Sequence, residues 1–105
     1  MKKEISKGMN RHEQTVDMLV EKLITSGKFD RVERDIKYCF PKANGQIDVM
    51  AFIGNRKYFY EVKSTYNSRS LKKAQEQYSR YKSVCKTKNL EGYIVTMGKI
   101  QRLNG

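Results

Sequence analysis

The amino-acid sequence predicts a mixed α/β domain, in which helices pack on a central β-sheet of mixed strand directions. Two segments have apolar residues at the 3.6-residue period of a helix, and four others alternate or are continuously apolar in the manner of strands. Their order along the chain is helix, strand, strand, strand, helix, strand, or αβββαβ. A chain of 105 residues has the size of one compact core, so we expect a single domain spanning residues 1–105.

The first helix is predicted over residues 10–26. Asn10 can cap its first turn, Glu13 occupies the reciprocal capping-box position, and Gly27 ends it. Its apolar positions are Val16, Leu19, Val20, Leu23 and Ile24. This spacing places one face of the helix against the sheet.

The first three strands follow from alternation and from turn residues. Residues 32–40 alternate between apolar and charged side chains, and residues 41–45 form a turn that contains the one proline of the chain. Residues 47–53 and 57–64 are two further strands, and the Gly54-Asn55 pair between them indicates a two-residue hairpin.

A second helix and a last strand complete the predicted order. The helix runs from Ser70 to about Cys85, with apolar positions at Leu71, Ala74, Tyr78, Tyr81 and Cys85. The strand runs from Gly92 to Met97 and is apolar enough to be buried.

The charge of the chain indicates an anionic partner. Lys and Arg number 22 against 11 Asp and Glu, which gives a formal net charge of +11. Such a charge opposes compaction unless an anion covers it, and nucleic acid binds basic surfaces through its phosphates. A membrane surface is the competing anion, and the lack of a basic amphipathic helix or a long apolar segment disfavours it.

The two cysteines and the N-terminus bear on location. Cys39 and Cys85 lack the spacing of a metal site and form no disulfide framework, so we expect two reduced thiols that fill space. The first residues are charged with no apolar segment behind them, which is unlike a signal peptide. We therefore expect a cytoplasmic protein.

The predicted hairpin brings three charged side chains together. If Gly54 and Asn55 form the loop, Asp48 lies directly across from Glu61, and alternation puts Lys63 on the same face. Opposed carboxylates destabilise a sheet unless a cation lies between them, and Mg²⁺ is commonly held by one or two carboxylates. An ordinary cross-strand Lys–Glu pair on the surface is the alternative. The apolar neighbours of Asp48 and Glu61 favour the ligating role.

The segments Gly45-Gln46-Ile47-Asp48 and Glu61-Val62-Lys63 resemble the core motif of the PD-(D/E)xK nuclease superfamily. This superfamily includes archaeal-type Holliday junction resolvases, many restriction endonucleases and RecB-like nuclease domains. The αβββαβ order is similar to its shared, restriction-endonuclease-like core, although Ile47 stands where many members have proline. The resemblance implies that Asp48, Glu61 and the Val62 carbonyl bind the metal and that Lys63 serves catalysis.

Two further positions are candidates for the site. Glu13 either caps the first helix or reaches the metal, as a first-helix acid does in resolvase-like members. Gln77 and Tyr81 resemble the Gln-x-x-x-Tyr pair that RecB-like nucleases carry after the catalytic lysine, whereas Tyr81 also fits the apolar face of its helix. His12, the one histidine, has no metal-site spacing, so we expect a surface residue.

Basic side chains near the two helices predict a surface that contacts phosphates, although a solvated helix face is also rich in lysine. The predicted nucleic-acid contacts are Lys7, Arg11, Arg69, Lys72, Lys73, Arg80 and Tyr81.

These features together predict an endonuclease that hydrolyses DNA with Mg²⁺ or Mn²⁺. Branched DNA is the first expected substrate, because the chain has no room for a sequence-reading domain. A homodimer is expected, because two sites would cut two strands. The alternatives are a nuclease acting on DNA ends, flaps or single strands, a non-catalytic nucleic-acid-binding module on the same fold, and an accessory subunit that docks a partner protein on DNA.

Overall fold

The computed structural model describes residues 10–104, which form two helices and one five-stranded sheet. The elements are α1 (Arg11–Ser26), β1 (Arg31–Cys39), β2 (Asn44–Ile53), β3 (Arg56–Val62), α2 (Ser68–Val84), β4 (Leu90–Thr96) and β5 (Lys99–Arg102). The strands lie in chain order across the sheet; β3 and β4 are parallel, and the other neighbours are antiparallel. The predicted mixed α/β class and the αβββαβ order are confirmed.

The two helices cover opposite faces of the sheet, and each face has its own apolar cluster. The α1 cluster contains Val16, Leu19, Leu23, Val49, Ala51, Tyr60, Val62 and Val95. The α2 cluster contains Ile47, Met50, Phe59, Ala74, Tyr78, Tyr81, Leu90, Ile94 and Leu103. Because the central strands contribute to both clusters, β2, β3 and β4 are buried on both sides, as their nearly continuous apolar sequences predict.

Side-chain caps determine where the helices begin. The Asn10 side chain accepts a hydrogen bond from the Glu13 backbone N–H, as predicted for α1. Helix α2 begins at Ser68, two residues before the predicted start, because Asn67 and Ser70 form a reciprocal capping box. The sequence-based prediction took Ser70 for the first residue of the helix, whereas its side chain is part of the cap.

Strand β5 was not predicted. It follows β4 through a tight turn at Met97 and Gly98, where Gly98 has the positive φ of 80° that such turns require. The strand has four residues, and Ile100 is its one aliphatic side chain. A short, mostly polar edge strand lacks the apolar alternation on which a strand prediction depends.

The alternation of β2 is interrupted at Asp48. Ile47 packs in the α2 cluster and Val49 in the α1 cluster, although residues two apart in a regular strand share one face. On the β1 side, the described pairs run from Arg34–Val49 to Ile36–Ile47 and omit the position between them. The β1 residue there is Asp35, whose φ of 53° is left-handed. The strand therefore changes orientation where Asp48 lies.

The cysteines are both free, as expected, but differ in environment. Cys85 is half-buried beside the α2 cluster and fills space there, whereas Cys39 is exposed, contrary to the prediction. Cys39 is the last residue of β1, which is an edge strand. Within residues 10–104, no helix is long and apolar enough to cross a membrane.

The left-handed backbone at Asp35 gives the first prediction. Asp and Asn tolerate this conformation, whereas a β-branched side chain strains it by about 1–2 kcal/mol. We expect Asp35→Val to lower the free energy of unfolding by about that amount. The matched change Asp35→Asn should stay within about 0.5 kcal/mol of wild type. Urea denaturation followed by circular dichroism measures both, and equal losses in the two variants would contradict the explanation.

Candidate functional site

Glu61 is a buried carboxylate at the end of β3. It is only 4% exposed and lies on the α2 side of the sheet, in alternation with Phe59. Its Oε2 lies 3.4 Å from the Lys63 ammonium, while its buried Oε1 has no hydrogen-bond partner among residues 10–104. An unsatisfied carboxylate oxygen in a core is costly, so this atom indicates a place where a cation or a polar ligand belongs.

Lys63 directly follows β3 and is held from two directions. Its backbone N–H donates to the Val95 carbonyl at 2.9 Å, which extends the parallel pairing with β4 by one residue. Its ammonium donates to Gln77 Oε1 at 2.9 Å as well as approaching Glu61. Because Gln77 is in the middle of α2, this helix positions the ammonium of Lys63 over the Glu61 carboxylate.

Asp48 lies where the pairing of β2 with β3 stops. The register is the predicted one, from Ile53–Arg56 to Val49–Tyr60, but it ends one pair before Asp48 and Glu61. In a continued ladder, the Val62 N–H would donate to the backbone of β2. It donates instead to the Asp48 carboxylate, at 2.8 Å from Oδ2. The Asp48 side chain therefore fills the gap between the strands.

His12 approaches Asp48 from the other side of the sheet. Its Nε2 lies 3.3 Å from the same Oδ2 atom that accepts the Val62 N–H. His12 belongs to the first turn of α1, whereas the Gln77 that contacts Lys63 belongs to α2. The site therefore joins side chains from both helices across the sheet.

Burial and charge raise the pKa of Glu61 to about 8. The largest cause is loss of hydration, followed by the charge of Asp48; Lys63 and a hydrogen bond from Gln77 oppose the shift. Without a cation, the site thus holds a proton on Glu61 near neutral pH. A divalent cation would take over the role of that proton and bring the two carboxylates together.

The donor set fits a magnesium-like ion better than a softer metal. The described residues contain no group of three or more His, Cys, Asp or Glu side chains arranged to hold a metal. Mg²⁺ needs no such group, because it is commonly bound by one or two carboxylates together with waters and substrate phosphates. Asp48, Glu61 with its unsatisfied oxygen, and the carbonyl of Val62 are the groups that could bind it.

Gly45, in the Gly45-Gln46-Ile47-Asp48 segment, leaves room for a close contact with a tyrosine ring. Gly45 pairs directly with Tyr38 of β1, whose ring folds over it. A Cβ at position 45 would lie 2.8 Å from the Tyr38 hydroxyl and 3.0 Å from its ring. That ring packs edge-on against Tyr81 in α2, so the glycine lets an aromatic group cover the start of β2.

The sequence predicted Glu13 at the site, and the structure describes no contact between the Glu13 side chain and the site residues. Its side chain is exposed, and within residues 10–104 it has no described hydrogen bond to Asp48 or Glu61. The buried positions of α1 are Thr15, Val16, Leu19 and Leu23. The prediction had included Ile24 in the buried face, whereas Ile24 is 61% exposed, and this rotated the predicted face toward Glu13.

His12 was expected to be a surface residue, and the structure shows it half-buried, with its imidazole in contact with Asp48. Counting back from Leu23 through Leu19 to Val16, a further step of four residues leads to His12 and a step of three leads to Glu13. The burial of Thr15, three residues after His12, places the buried face on the His12 side, and a threonine does not signal burial in the sequence. The absence of a second histidine or a cysteine nearby drew attention away from His12.

Tyr81 is part of the core rather than of a nucleic-acid-binding surface. It is 8% exposed, and its ring stacks on Phe59 at 5.9 Å between centroids. Its hydroxyl lies 3.4 Å from Lys57 Nζ, at the beginning of β3 rather than at its end. Gln77 and Tyr81 therefore do not act as a pair at the site, since the apolar face of α2 takes Tyr81 inward.

The predicted basic contacts are mostly on the surface. Lys7 lies outside the described residues. The others are exposed, one at the start of α1 and four along α2: Arg11, Arg69, Lys72, Lys73 and Arg80. Lys73 and Arg80 flank Gln77 at spacings of four and three residues, so they extend from the same side of the helix as the site.

Comparisons with known proteins show the fold alone. No family model and no curated protein matches the chain. Three solved chains match. One is the crystal structure of a protein of unknown function, AF1548, with a TM-score of 0.58 and 21% sequence identity over 83% of this chain and 47% of that one. The chain thus spans about half the length of AF1548 and shares an α/β fold with it.

The raised pKa of Glu61 gives a prediction about stability. The unfolded carboxyl releases its proton near pH 4.5, whereas the folded one holds it to about pH 8, so wild type loses stability as pH rises between these values. Glu61→Gln has no such loss. In EDTA at pH 8 we expect its Tm to exceed that of wild type by at least about 4 °C, with a smaller difference at pH 5.

Thermal unfolding at the two pH values measures this difference. The matched control is Glu76→Gln, which removes an exposed acid of α2 and should not change with pH relative to wild type. A Glu61→Gln advantage of the same size at pH 5 and pH 8 would show that the Glu61 proton is not the cause.

Proposed function

We propose that this chain is a metal-dependent endonuclease of the PD-(D/E)xK superfamily that hydrolyses phosphodiester bonds in DNA. The observation that carries the proposal is the buried and unsatisfied Glu61 carboxylate, with Asp48 beside it and the Lys63 ammonium held against it. Burying two acids and a lysine costs a small domain stability. Their presence in the core is therefore better explained by a function than by stability. The αβββαβ order and the motif resemblance support the same function.

The metal site would consist of Asp48, Glu61 and the Val62 carbonyl, with Mg²⁺ or Mn²⁺ as the ion. Such an ion supplies positive charge to the phosphoryl group and favours ionisation of the attacking water. The protein would bind it with carboxylates that are already desolvated. Because burial strengthens electrostatic interactions, the same two acids would attract a divalent ion more strongly here than on a surface.

Lys63 would act on the attacking water or on the charge that develops at the phosphate. An ammonium has three donors, of which one points to Gln77 and another to Glu61. The third can reach a water or a phosphate oxygen, and the side chain is 20% exposed. Gln77 fixes the rotation of the ammonium, so its role is to position Lys63.

The charge of the chain supports DNA as the substrate. The net charge is +11, and exposed cations extend along α2 from the side of the site. Phosphate contacts of this kind position a nucleic acid without reading its sequence. Branched DNA is the first candidate for the substrate. The proposed location of the protein is the cytoplasm. DNA ends, flaps or single strands are the second candidate, favoured by the Gln77 contact to the lysine.

Cleavage assays test the proposal. The substrates are end-labelled four-way junction, flap, duplex and single-stranded DNA, each in Mg²⁺, Mn²⁺ and EDTA. Asp48→Asn is the better inactive variant, because its amide oxygen still accepts the Val62 N–H. We expect no cleavage in EDTA or by Asp48→Asn, and a loss of about 10²–10³ in rate for Lys63→Ala, typical of removing one charged group that stabilises a transition state.

The matched control is Lys42→Ala, an exposed lysine in the turn before β2, which should cut at the wild-type rate. DNA binding of equal strength in EDTA and Mg²⁺, with no cutting of any substrate, would refute the enzyme and leave a non-catalytic binding module. Binding that requires a second protein would indicate the accessory subunit.

A homodimer is the proposed active form, since two sites are needed to cut both strands of a junction. Sedimentation velocity with a symmetric four-way junction should give a complex of two chains per junction, with paired cuts. A single bound chain that nicks one strand would contradict the dimer while leaving the nuclease proposal intact.

A further inference from the structure

His12 is the side chain from α1 that reaches the site, and its contact is specific. Its Nε2 lies 3.3 Å from Asp48 Oδ2, and the Val62 N–H donates to that same atom at 2.8 Å. The His12 side chain is 38% exposed, whereas the Asp48 side chain is 11% exposed. The imidazole thus spans the distance from solvent to the buried carboxylate.

The chemistry of the contact determines which atom donates. A carboxylate only accepts hydrogen bonds, so Nε2 of His12 must carry the hydrogen. Two N–H groups, one from the backbone of β3 and one from α1, then converge on a single oxygen of Asp48. Two donors from different directions restrict the rotation of the carboxylate more than either does alone.

The position of the imidazole is set by the packing of α1. Val16 and Leu19, one and two turns after His12, pack in the cluster with Val49 and Val95 on this face of the sheet. The Asn10 cap fixes the first turn of the helix. A histidine side chain has two rotatable bonds, so a fixed backbone leaves the ring few orientations.

We infer that His12 is a positioning residue for the metal site, which acts by holding the Asp48 carboxylate in the orientation that binds the ion. This inference rests on the proposed function. Partners of metal ligands orient the ligand, and their removal typically weakens metal affinity about 10–100-fold. His12 is suited to this role because Nε2, as the donor to Asp48, carries a hydrogen and so is not itself available to bind the ion.

Mn²⁺ binding measures this role without any cleavage. We would titrate Mn²⁺ into the DNA-free protein by isothermal calorimetry, for wild type, His12→Ala, His12→Gln and Asp48→Asn. Glutamine places an amide N–H near the position of Nε2 and so keeps the donor. The matched control is Glu21→Ala, an exposed residue of the same helix. Circular dichroism shows that each variant is folded.

We expect His12→Ala to weaken Mn²⁺ binding about 10–100-fold, with most of the affinity restored in His12→Gln and no change in Glu21→Ala. In cleavage assays, the Mn²⁺ concentration for half-maximal rate should rise in His12→Ala, while the rate at saturating Mn²⁺ is largely retained. DNA affinity in EDTA should not change.

Three results would overturn the inference. In the first, His12→Ala binds Mn²⁺ as wild type does. In the second, His12→Gln fails to restore the affinity for Mn²⁺. In the third, the cleavage rate of His12→Ala falls at saturating Mn²⁺ while its affinity for Mn²⁺ is unchanged, which would place His12 against the substrate. If Asp48→Asn also bound Mn²⁺ with wild-type affinity, the metal site itself would be absent. That result would refute the proposed function, not only the role of His12.

Discussion

Burial of Asp48 and Glu61 side by side is the constraint to which the surrounding structure responds. Carboxylates in a core lose hydration and repel each other, and the protein compensates each of them differently. Asp48 receives two N–H groups on one oxygen, whereas Glu61 has an ammonium on one oxygen and, in the part of the chain that the structure describes, no hydrogen-bond partner on the other. The compensation is incomplete, and the deficit lies on the atom that a cation would neutralise. A core selected for stability alone would have apolar side chains here.

The sheet makes this arrangement possible by ending one ladder early. Because β2 and β3 stop pairing after Val49 and Tyr60, a side chain can enter the space between them, and β3 continues to be supported by β4 through Val62. The left-handed Asp35 lies on the other side of β2 at the same level. Asp48 is thereby released from both neighbouring strands, and its carboxylate is free to take the place of a backbone acceptor.

Most of the fold could be predicted from the sequence, since apolar periodicity and turn residues identify six of the seven elements, and the Gly54-Asn55 turn sets the register of the hairpin. The same register predicted that Asp48 and Glu61 are neighbours. The register could not predict that the two acids reach different helices, because alternation assumes a regular strand and β2 is irregular at Asp48, opposite the left-handed Asp35. Periodicity located the buried face of α1 to within about one residue. That error was enough to place Glu13 rather than His12 toward the site. Tyr81 shows the same limit, since a tyrosine in an apolar stripe suits both core and surface.

The distribution of the site over the chain has a consequence for how the protein is made. A nascent chain that ends after β3 already contains both carboxylates and the hairpin, but it lacks the Val95 carbonyl that anchors Lys63 and the Gln77 that orients its ammonium. These arrive only with α2 and β4, the last large elements. The contacts that hold Lys63 therefore form only after β4 has left the ribosome, and a product truncated after β3 has the two carboxylates without the groups that hold this ammonium.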